Sequence, residues 1–200
     1  MTFQKPGIRA LGIAESFSRQ RKSPSERVSG KSVVAGVVLR ADGALDGVAL
    51  SEITVGGTDA TRGVLDLLET LHREDLQVVM LGGCVWAWFN ILDLEQVARA
   101  ARTPVICVTY EESPGLEKYL QEYFPEGWQA RAEAYRALGQ RERFPLPGGH
   151  TIYARTLGLT RTDARTLLEK FTRHGKVPEP IRVARLVARA ALRHKAQEKS

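Results

Sequence analysis

Gln77-Val78-Val79-Met80-Leu81-Gly82-Gly83 and Thr103-Pro104-Val105-Ile106-Cys107-Val108 decide the fold. Each opens or closes on a short unbroken apolar run, the pattern of a strand covered on both faces. Parallel strands need a crossover, and the segment between them supplies one: Asn90 or Asp93 can cap a helix whose Leu94, Val97, Ala98 and Ala101 fall on one side. At the carboxyl end of the first strand, where an open α/β sheet normally presents its chemistry, stand Gly82 and Gly83. That position offers no side chain.

Upstream, Ile8 to Ala14 reads as a first strand and the Val-rich Ser32 to Arg40 as a second. Ala41-Asp42-Gly43 is a turn signal, and Val48 to Val55 is a third strand, which predicts an antiparallel meander. The period then changes. Gly56-Gly57 punctuates the chain, and Thr58 or Asp59 can cap a helix in which Val64, Leu67, Leu68 and Leu71 recur at helical spacing. Three antiparallel strands followed by two helix-linked parallel ones predict a mixed α/β sheet of about five strands flanked by helices. That is the order of a ribonuclease-H-like fold, with a doubly wound sheet as the alternative.

Downstream, Ser113-Pro114 places a cap and a first-turn proline ahead of Leu116, Tyr119, Leu120 and Tyr123, which predicts a third helix. Trp128 to Leu138 adds a fourth, Gly139 to Gly149 reads as a loop and His150 to Arg155 as an edge strand. Thr160 caps a helix holding Ala164, Leu167, Leu168 and Phe171, and a last helix follows Pro178-Glu179-Pro180. Ile181, Leu186, Val187 and Ala190 of that helix can face the body. Residues 1–200 are expected to form one domain, with a basic helical segment over 156–200.

A content of 43% apolar and 26% charged residues suits a folded core. Cys84 and Cys107 lie in or beside buried strands without CxxC spacing, so they read as core residues, with neither a disulfide framework nor a zinc site indicated. His72, His150, His174 and His194 are scattered without ligand spacing. Residues 2–10 are too polar for a signal peptide and no apolar run has the length of a membrane span, so a cytoplasmic protein without membrane contact is expected.

The formal net charge of +6 is unevenly placed. Residues 1–130 carry 13 Lys and Arg against 17 Asp and Glu, a net −4, whereas residues 131–200 carry 16 against 6, a net +10. Such asymmetry predicts an anionic partner, with DNA or RNA the natural class and a solvated basic surface the plainer reading. Two segments could carry the contact. Ser16 to Lys31 is a basic polar loop with Arg19, Arg21 and Lys22, and Arg182, Arg185, Arg189 and Arg193 recur along the last helix at spacings that form one stripe.

Four blocks taken together resemble a known family. They are Lys5-Pro6-Gly7-Ile8-Arg9-Ala10-Leu11-Gly12-Ile13, then Thr58-Asp59-Ala60-Thr61, then Val79-Met80-Leu81-Gly82-Gly83 running into Trp88-Phe89-Asn90-Ile91-Leu92-Asp93, and Val177-Pro178-Glu179-Pro180-Ile181-Arg182-Val183-Ala184. In this order they look like the archaeal domain of unknown function 99 family, also called endonuclease-dU-like, and more remotely endonuclease V. The resemblance implies a ribonuclease-H-like sheet in a DNA-repair setting, with metal-dependent hydrolysis beside deaminated bases such as deoxyuridine or deoxyinosine. Mg²⁺ or Mn²⁺ would be the cofactor of a catalytic member, and such hard ions require carboxylate oxygens.

This chain departs from the pattern at the carboxylates. Similar proteins have paired aspartates after Ile13, where this one has Ala14 and Glu15; they have Asp-Gly where it has Gly56-Gly57. Endonuclease V has an aspartate near the end of its fourth strand, where Leu81, Gly82 or Gly83 stands here. Strand alternation directs Glu15 to the face opposite Ala14. Glu15, Asp59 and Asp93 are the remaining candidates for catalysis and metal binding, although Asp59 and Asp93 equally suit helix caps. Trp86 and Trp88 are candidate platforms for an unstacked base, against the plainer reading of core packing. Two function classes follow: a nuclease of this family with a rearranged acidic site, or a non-catalytic nucleic-acid-binding or scaffolding protein of the same fold.

Overall fold

The computed structural model describes Phe3, Lys5 and residues 7–17, 30–112 and 115–198. Its first three strands are β1 (Arg9–Ser16), β2 (Lys31–Arg40) and β3 (Leu45–Thr54), followed by helix α1 (Ala60–Leu71) and strand β4 (Val78–Leu81). A two-stranded ribbon, β5 (Val85–Trp86) and β6 (Asn90–Ile91), leads into α2 (Leu94–Ala101) and β7 (Val105–Thr109). Helices α3 (Glu117–Tyr123) and α4 (Trp128–Ala137), strands β8 (Glu142–Pro145) and β9 (Thr151–Leu157), and helices α5 (Arg161–Phe171) and α6 (Glu179–Gln197) complete the chain.

The main sheet has the order β3-β2-β1-β4-β7-β9-β8. The expected meander is present, since β1–β2 and β2–β3 pair antiparallel. The two apolar runs lie in parallel, with β4 between β1 and β7. Two further strands extend the five. The His150 segment is not an edge: β9 is paired on both sides, and the edge is β8, inside the stretch expected to be a loop. Only Phe144 of Glu142-Arg143-Phe144-Pro145 is buried, so hydropathy gives β8 no signal, and a terminal proline is tolerated at an edge.

Alternation divides the core into two layers. Leu11, Ile13, Val79, Leu81, Val105 and Cys107 point to one face, covered by α1 and α2 through Val64, Leu67, Leu94 and Val97. Ala10, Ala14, Val78, Met80, Ile106 and Val108 point to the other, covered by Ala164, Leu167 and Phe171 of α5 and by Ile181 and Ala184 of α6. Helix α6 crosses β1 and β2 at very short range. A Cβ on Gly12 would stand 2.1 Å from the Pro180 carbonyl carbon, so only glycine permits this contact.

The side of α6 that packs inward matches the expected one only at Ile181 and Val187. Ile181, Ala184 and Ala188 are fully buried, whereas Leu186 is 52% exposed and Ala190 is also exposed. Small residues at the contact let the helix axis approach the sheet, which rolls the larger Leu186 outward.

Caps follow the sequence in part. Asp93 caps α2 by accepting from Gln96 N, and Thr160 caps α5 by accepting from Asp163 N. Asp59 occupies the cap position of α1 but makes no cap hydrogen bond. Helix α3 starts at Glu117 behind Leu116; Ser113 and Pro114 lie outside the described residues. Cys84 and Cys107 are buried as expected, but they are joined in a disulfide, which corrects the reading that none is indicated. The α2 crossover brings positions 23 residues apart to a Cα separation of 6.3 Å across the β4–β7 border, within disulfide range. Among the described residues no helix is long and apolar enough to cross a membrane.

Candidate functional site

The carboxyl edge of β1, β4 and β7 has two flanks, one on each face of the sheet. On the α1 side, Glu15 leaves the end of β1 pointing away from Ala14, as alternation requires. Its Oε2 accepts from Ser32 Oγ at 2.7 Å, and its Oε1 lies 3.5 Å from Ala87 N. It borders a cleft of about 240 Å³ with Phe17 and Val85 to Phe89.

Beside this cleft Asp59 reaches back to the end of β3. Thr54 N lies 3.0 Å from both carboxylate oxygens, Thr54 Oγ1 donates at 2.8 Å and Asn90 Nδ2 at 2.7 Å. Burial raises the Asp59 pKa, but these hydrogen bonds outweigh it and hold the carboxyl below its ordinary value. Asn90 is fully buried and ties three elements together: it also donates to Thr54 O at 3.0 Å and accepts from Ala60 N at 2.8 Å. The cap bond missing from α1 is thus supplied by Asn90, which is why Asp59 is released to bind Thr54.

Ala87, Trp88 and Phe89 follow with φ of 35°, 64° and 62°, a left-handed run without glycine. Such backbone is held only when its surroundings fix it. Gly56 N donates to Ala87 O at 2.7 Å, and Arg131 of α4 donates to Gly57 O (2.8 Å), Phe89 O (2.8 Å) and Gly56 O (2.7 Å). The Arg131 guanidinium also lies 4.1 Å from the Phe124 ring centre, and its burial lowers its pKa. Trp88 packs against Phe89 and Tyr123. Trp86 is only 2% exposed, so it belongs to the core, while Trp88 is half-buried at the rim.

On the α6 side the strand ends carry almost no side chains. A Cβ on Gly82 would stand 2.9 Å from Ile181 Cγ2, 3.5 Å from Ala14 Cβ and 3.5 Å from Arg185 Nη2. Arg185 therefore leaves the expected outward stripe and turns over the sheet edge, with its guanidinium 4.8 Å from the Tyr110 ring centre. Burial raises the Tyr110 pKa and the Arg185 charge only partly offsets this. Lys176 Nζ donates to Tyr110 O at 3.1 Å. Of the other stripe residues, Arg182 pairs with Glu179, and Arg189 and Arg193 are exposed. Arg19, Arg21 and Lys22 lie outside the described residues.

The three candidate carboxylates do not converge. Asp93 gives one oxygen to Gln96 N and the other to Gln96 Nε2, both at 2.9 Å. Asp59 is saturated by Thr54 and Asn90, and Glu15 faces Ser32. Among the described residues no three His, Cys, Asp or Glu side chains are placed to hold a metal ion. Where carboxylates would bind Mg²⁺ or Mn²⁺, Ala14 and Gly82 offer no oxygen and Arg185 adds a positive charge. The residues present do not fit a divalent ion there. In the sequence Asn90 is a possible cap and part of the Trp88 to Asp93 block; Arg131, Tyr110 and Lys176 carry no signal beyond residue type.

A sheet of this order with helices on both faces defines a ribonuclease-H-like fold of the endonuclease V type. An endonuclease V of Ciona intestinalis, solved with a 24-mer DNA containing an inosine, superposes with a TM-score of 0.59 at 14% identity, covering 94% of this chain and 87% of that one. The chain belongs to the Endonuclease dU family, whose model matches residues 6–192. It is 40% identical over 179 residues to a UPF0215 protein of Pyrobaculum calidifontis, covering 89% of this chain and 93% of the relative. A protein of unknown function from Archaeoglobus fulgidus has the same fold, with a TM-score of 0.76, 28% identity and coverage of 92% and 98%.

Proposed function

We propose that this chain is a nucleic-acid-binding member of the Endonuclease dU family in which phosphodiester hydrolysis is reduced or lost. The observation that carries the reading is the pair Ala14 and Gly82 at the carboxyl ends of β1 and β4, with Arg185 over them. A two-ion hydrolytic site needs several hard oxygen ligands converging on one point. Glu15, Asp59 and Asp93, the candidates for catalysis and metal binding, are each engaged by neighbouring groups. The reading includes a cytoplasmic DNA-repair setting. It takes residues 1–200 as one endonuclease-V-like domain with a basic helical segment over 156–200. DNA or RNA is the partner, favoured by the +10 charge of residues 131–200 and by the DNA-bound Ciona endonuclease V of the same fold.

The test is a nicking assay on uracil- and inosine-containing DNA with Mg²⁺ and with Mn²⁺, run beside fluorescence anisotropy on the same oligonucleotides. Binding with absent or weak cleavage is expected. Robust turnover that Asp59→Ala or Asp93→Ala abolishes would restore these carboxylates to a metal site and overturn the proposal. Absence of binding to every probe would leave only a scaffolding role.

A further inference from the structure

We infer that Arg185, seated over Tyr110 and joined by Lys176, forms a binding site for a phosphodiester group that needs no metal ion. The inference rests on the nucleic-acid reading above and deepens it by naming the group recognised and the residues that hold it.

Arg185 is an unbalanced charge at the sheet edge. Among the described residues no carboxylate pairs with it, whereas Arg182 one turn earlier is held by Glu179 and Lys195 further along by Glu52. Its side chain is half-buried, so the guanidinium is partly desolvated without a counterion. A group held in that state attracts an anion more strongly than an exposed one, because less water is displaced when the anion arrives. Lys176 adds a second cation, with Nζ 6.0 Å from the Tyr110 ring centre. The Tyr110 ring, whose hydroxyl is buried, seats the Arg185 guanidinium and leaves the two cations to meet the ligand.

Position and shape select the ligand. The guanidinium stands where the ends of β1 and β4 meet, and these ends carry only a methyl group and a bare glycine. Ile181 Cγ2 fills the space directly over Gly82, so a tetrahedral anion meets the guanidinium from its solvent side. A guanidinium fork matches two oxygens of a phosphate, which a single ammonium group cannot do. Arg189 and Arg193 continue from Arg185 along α6, so a chain of phosphates suits the surface better than one isolated anion.

Arg185 thus supplies, as a fixed cation, the charge neutralisation that metal ions would otherwise give to a phosphate at this edge. It supplies no activated water. Retained binding and lost hydrolysis follow from the same substitution of groups.

Fluorescence anisotropy with labelled duplex and single-stranded DNA, in Mg²⁺ and in EDTA, tests this on the full chain and on Arg185→Gln and Arg185→Lys. Glutamine keeps the apolar stem over Tyr110 and removes the charge, and thermal melting of each variant checks that the fold is retained. Wild-type binding should persist undiminished in EDTA, since Mg²⁺ only competes for the phosphates. Arg185→Gln should weaken binding about tenfold and flatten the dependence of log affinity on log salt by about 0.9 on duplex DNA. Arg185→Lys should recover the slope but only part of the affinity.

Wild-type binding that EDTA abolishes, or an Arg185→Gln variant with unchanged affinity and slope, would overturn this inference while leaving nucleic-acid binding intact. Failure of the wild type to bind any oligonucleotide would overturn the broader reading as well. If inorganic phosphate at matched ionic strength bound Arg185 tightly and no oligonucleotide competed, the site would belong to a free anion and the phosphodiester assignment would fail.

Discussion

The two flanks of the sheet edge solve opposite problems. On the α1 side, Asp59, Asn90, Thr54 and Arg131 satisfy one another around a left-handed backbone run, although the buried Trp86 Nε1 beside them has no hydrogen-bond partner among the described residues. On the α6 side, the Arg185 guanidinium lies over the Tyr110 ring with no carboxylate partner among the described residues, beside strand ends that Ala14 and Gly82 leave without a polar group. Saturated networks specify structure, whereas unsatisfied groups held in place mark where a ligand completes the molecule. On the proposed reading, the acidic residues that first draw notice serve the architecture, and the phosphodiester site lies across the sheet from them.

The largest expected effect removes the comparison altogether. Gly12→Val would place a side chain in the Pro180 backbone, whose carbonyl carbon and oxygen lie 2.1 and 2.3 Å from the ideal Cβ position. Backbone cannot yield as a side chain tip does, so α6 must lift from β1. We expect a loss of about 3 kcal/mol or more in urea unfolding, with Arg185 displaced from the edge. A loss below about 1 kcal/mol would show that α6 docks by another route.

Asn90→Ala should come next, because it orphans Ala60 N and Thr54 O and strips Asp59 of one donor. The expected cost is about 2–4 kcal/mol, with no change in nucleic-acid affinity per folded molecule. The pH dependence of the same network has a definite sign. Asp59 has a folded pKa below the ordinary 3.8, so its contribution is fully present above that value and is lost as pH falls through the folded pKa. Asp59→Asn should therefore be less stable than wild type at neutral pH, and the two should converge in acid below pH 3.8. Parallel stability curves across that range would remove Asp59 from the network.

Arg131→Ala should cost less, about 1.5–3 kcal/mol, since its partners Gly56, Gly57 and Phe89 are carbonyls near the surface that water can partly resolvate. Hydrogen exchange should rise at Ala87 to Phe89 and stay unchanged in α6. A uniform rise over the whole chain would mean that Arg131 supports the fold globally, not the strained run.

Much of this arrangement was legible in the residues, for physical reasons that also set the limit. The apolar runs around Val79 and Ile106 announce strands buried on both faces, and the change of period after Val55 announces the crossover topology. Both signals come from burial, which hydropathy records. Strand β8 escaped because a single residue, Phe144, is buried in it. The disulfide escaped because a spacing of 23 residues says nothing about which side of a crossover each cysteine takes. The left-handed run at Ala87 to Phe89 carries no glycine, so nothing in its composition reveals it.

Site chemistry was read less well for a different reason. An aspartate before a helix has the same signature whether it caps, as Asp93 does, or binds the preceding strand, as Asp59 does. Periodicity grouped Arg182, Arg185, Arg189 and Arg193 correctly on one side of a helix. It could not say how α6 rolls on the sheet, because that depends on Gly12 admitting Pro180 and on the small Ala184 and Ala188. The roll separates Arg185 from its neighbours and carries it to the edge.

That separation yields the smallest and most selective prediction, the double variant Arg189→Ala and Arg193→Ala. Both residues are exposed and, among the described residues, neither is paired with a carboxylate, so stability should stay within about 0.5 kcal/mol of wild type. If they extend the phosphate path begun at Arg185, duplex affinity should fall by a similar factor on all sequences, since phosphate contacts position without specifying. The salt slope should also flatten by about 0.9 for each phosphate that is no longer neutralised. The fall should be smaller than that from Arg185→Gln, because exposed guanidinium groups remain well hydrated and gain less on meeting an anion. Anisotropy titrations over a salt series decide it. An unchanged slope would return the outer part of α6 to a solvated basic surface, and a fall in affinity larger than that of Arg185→Gln would move the centre of the interface from the sheet edge to the helix.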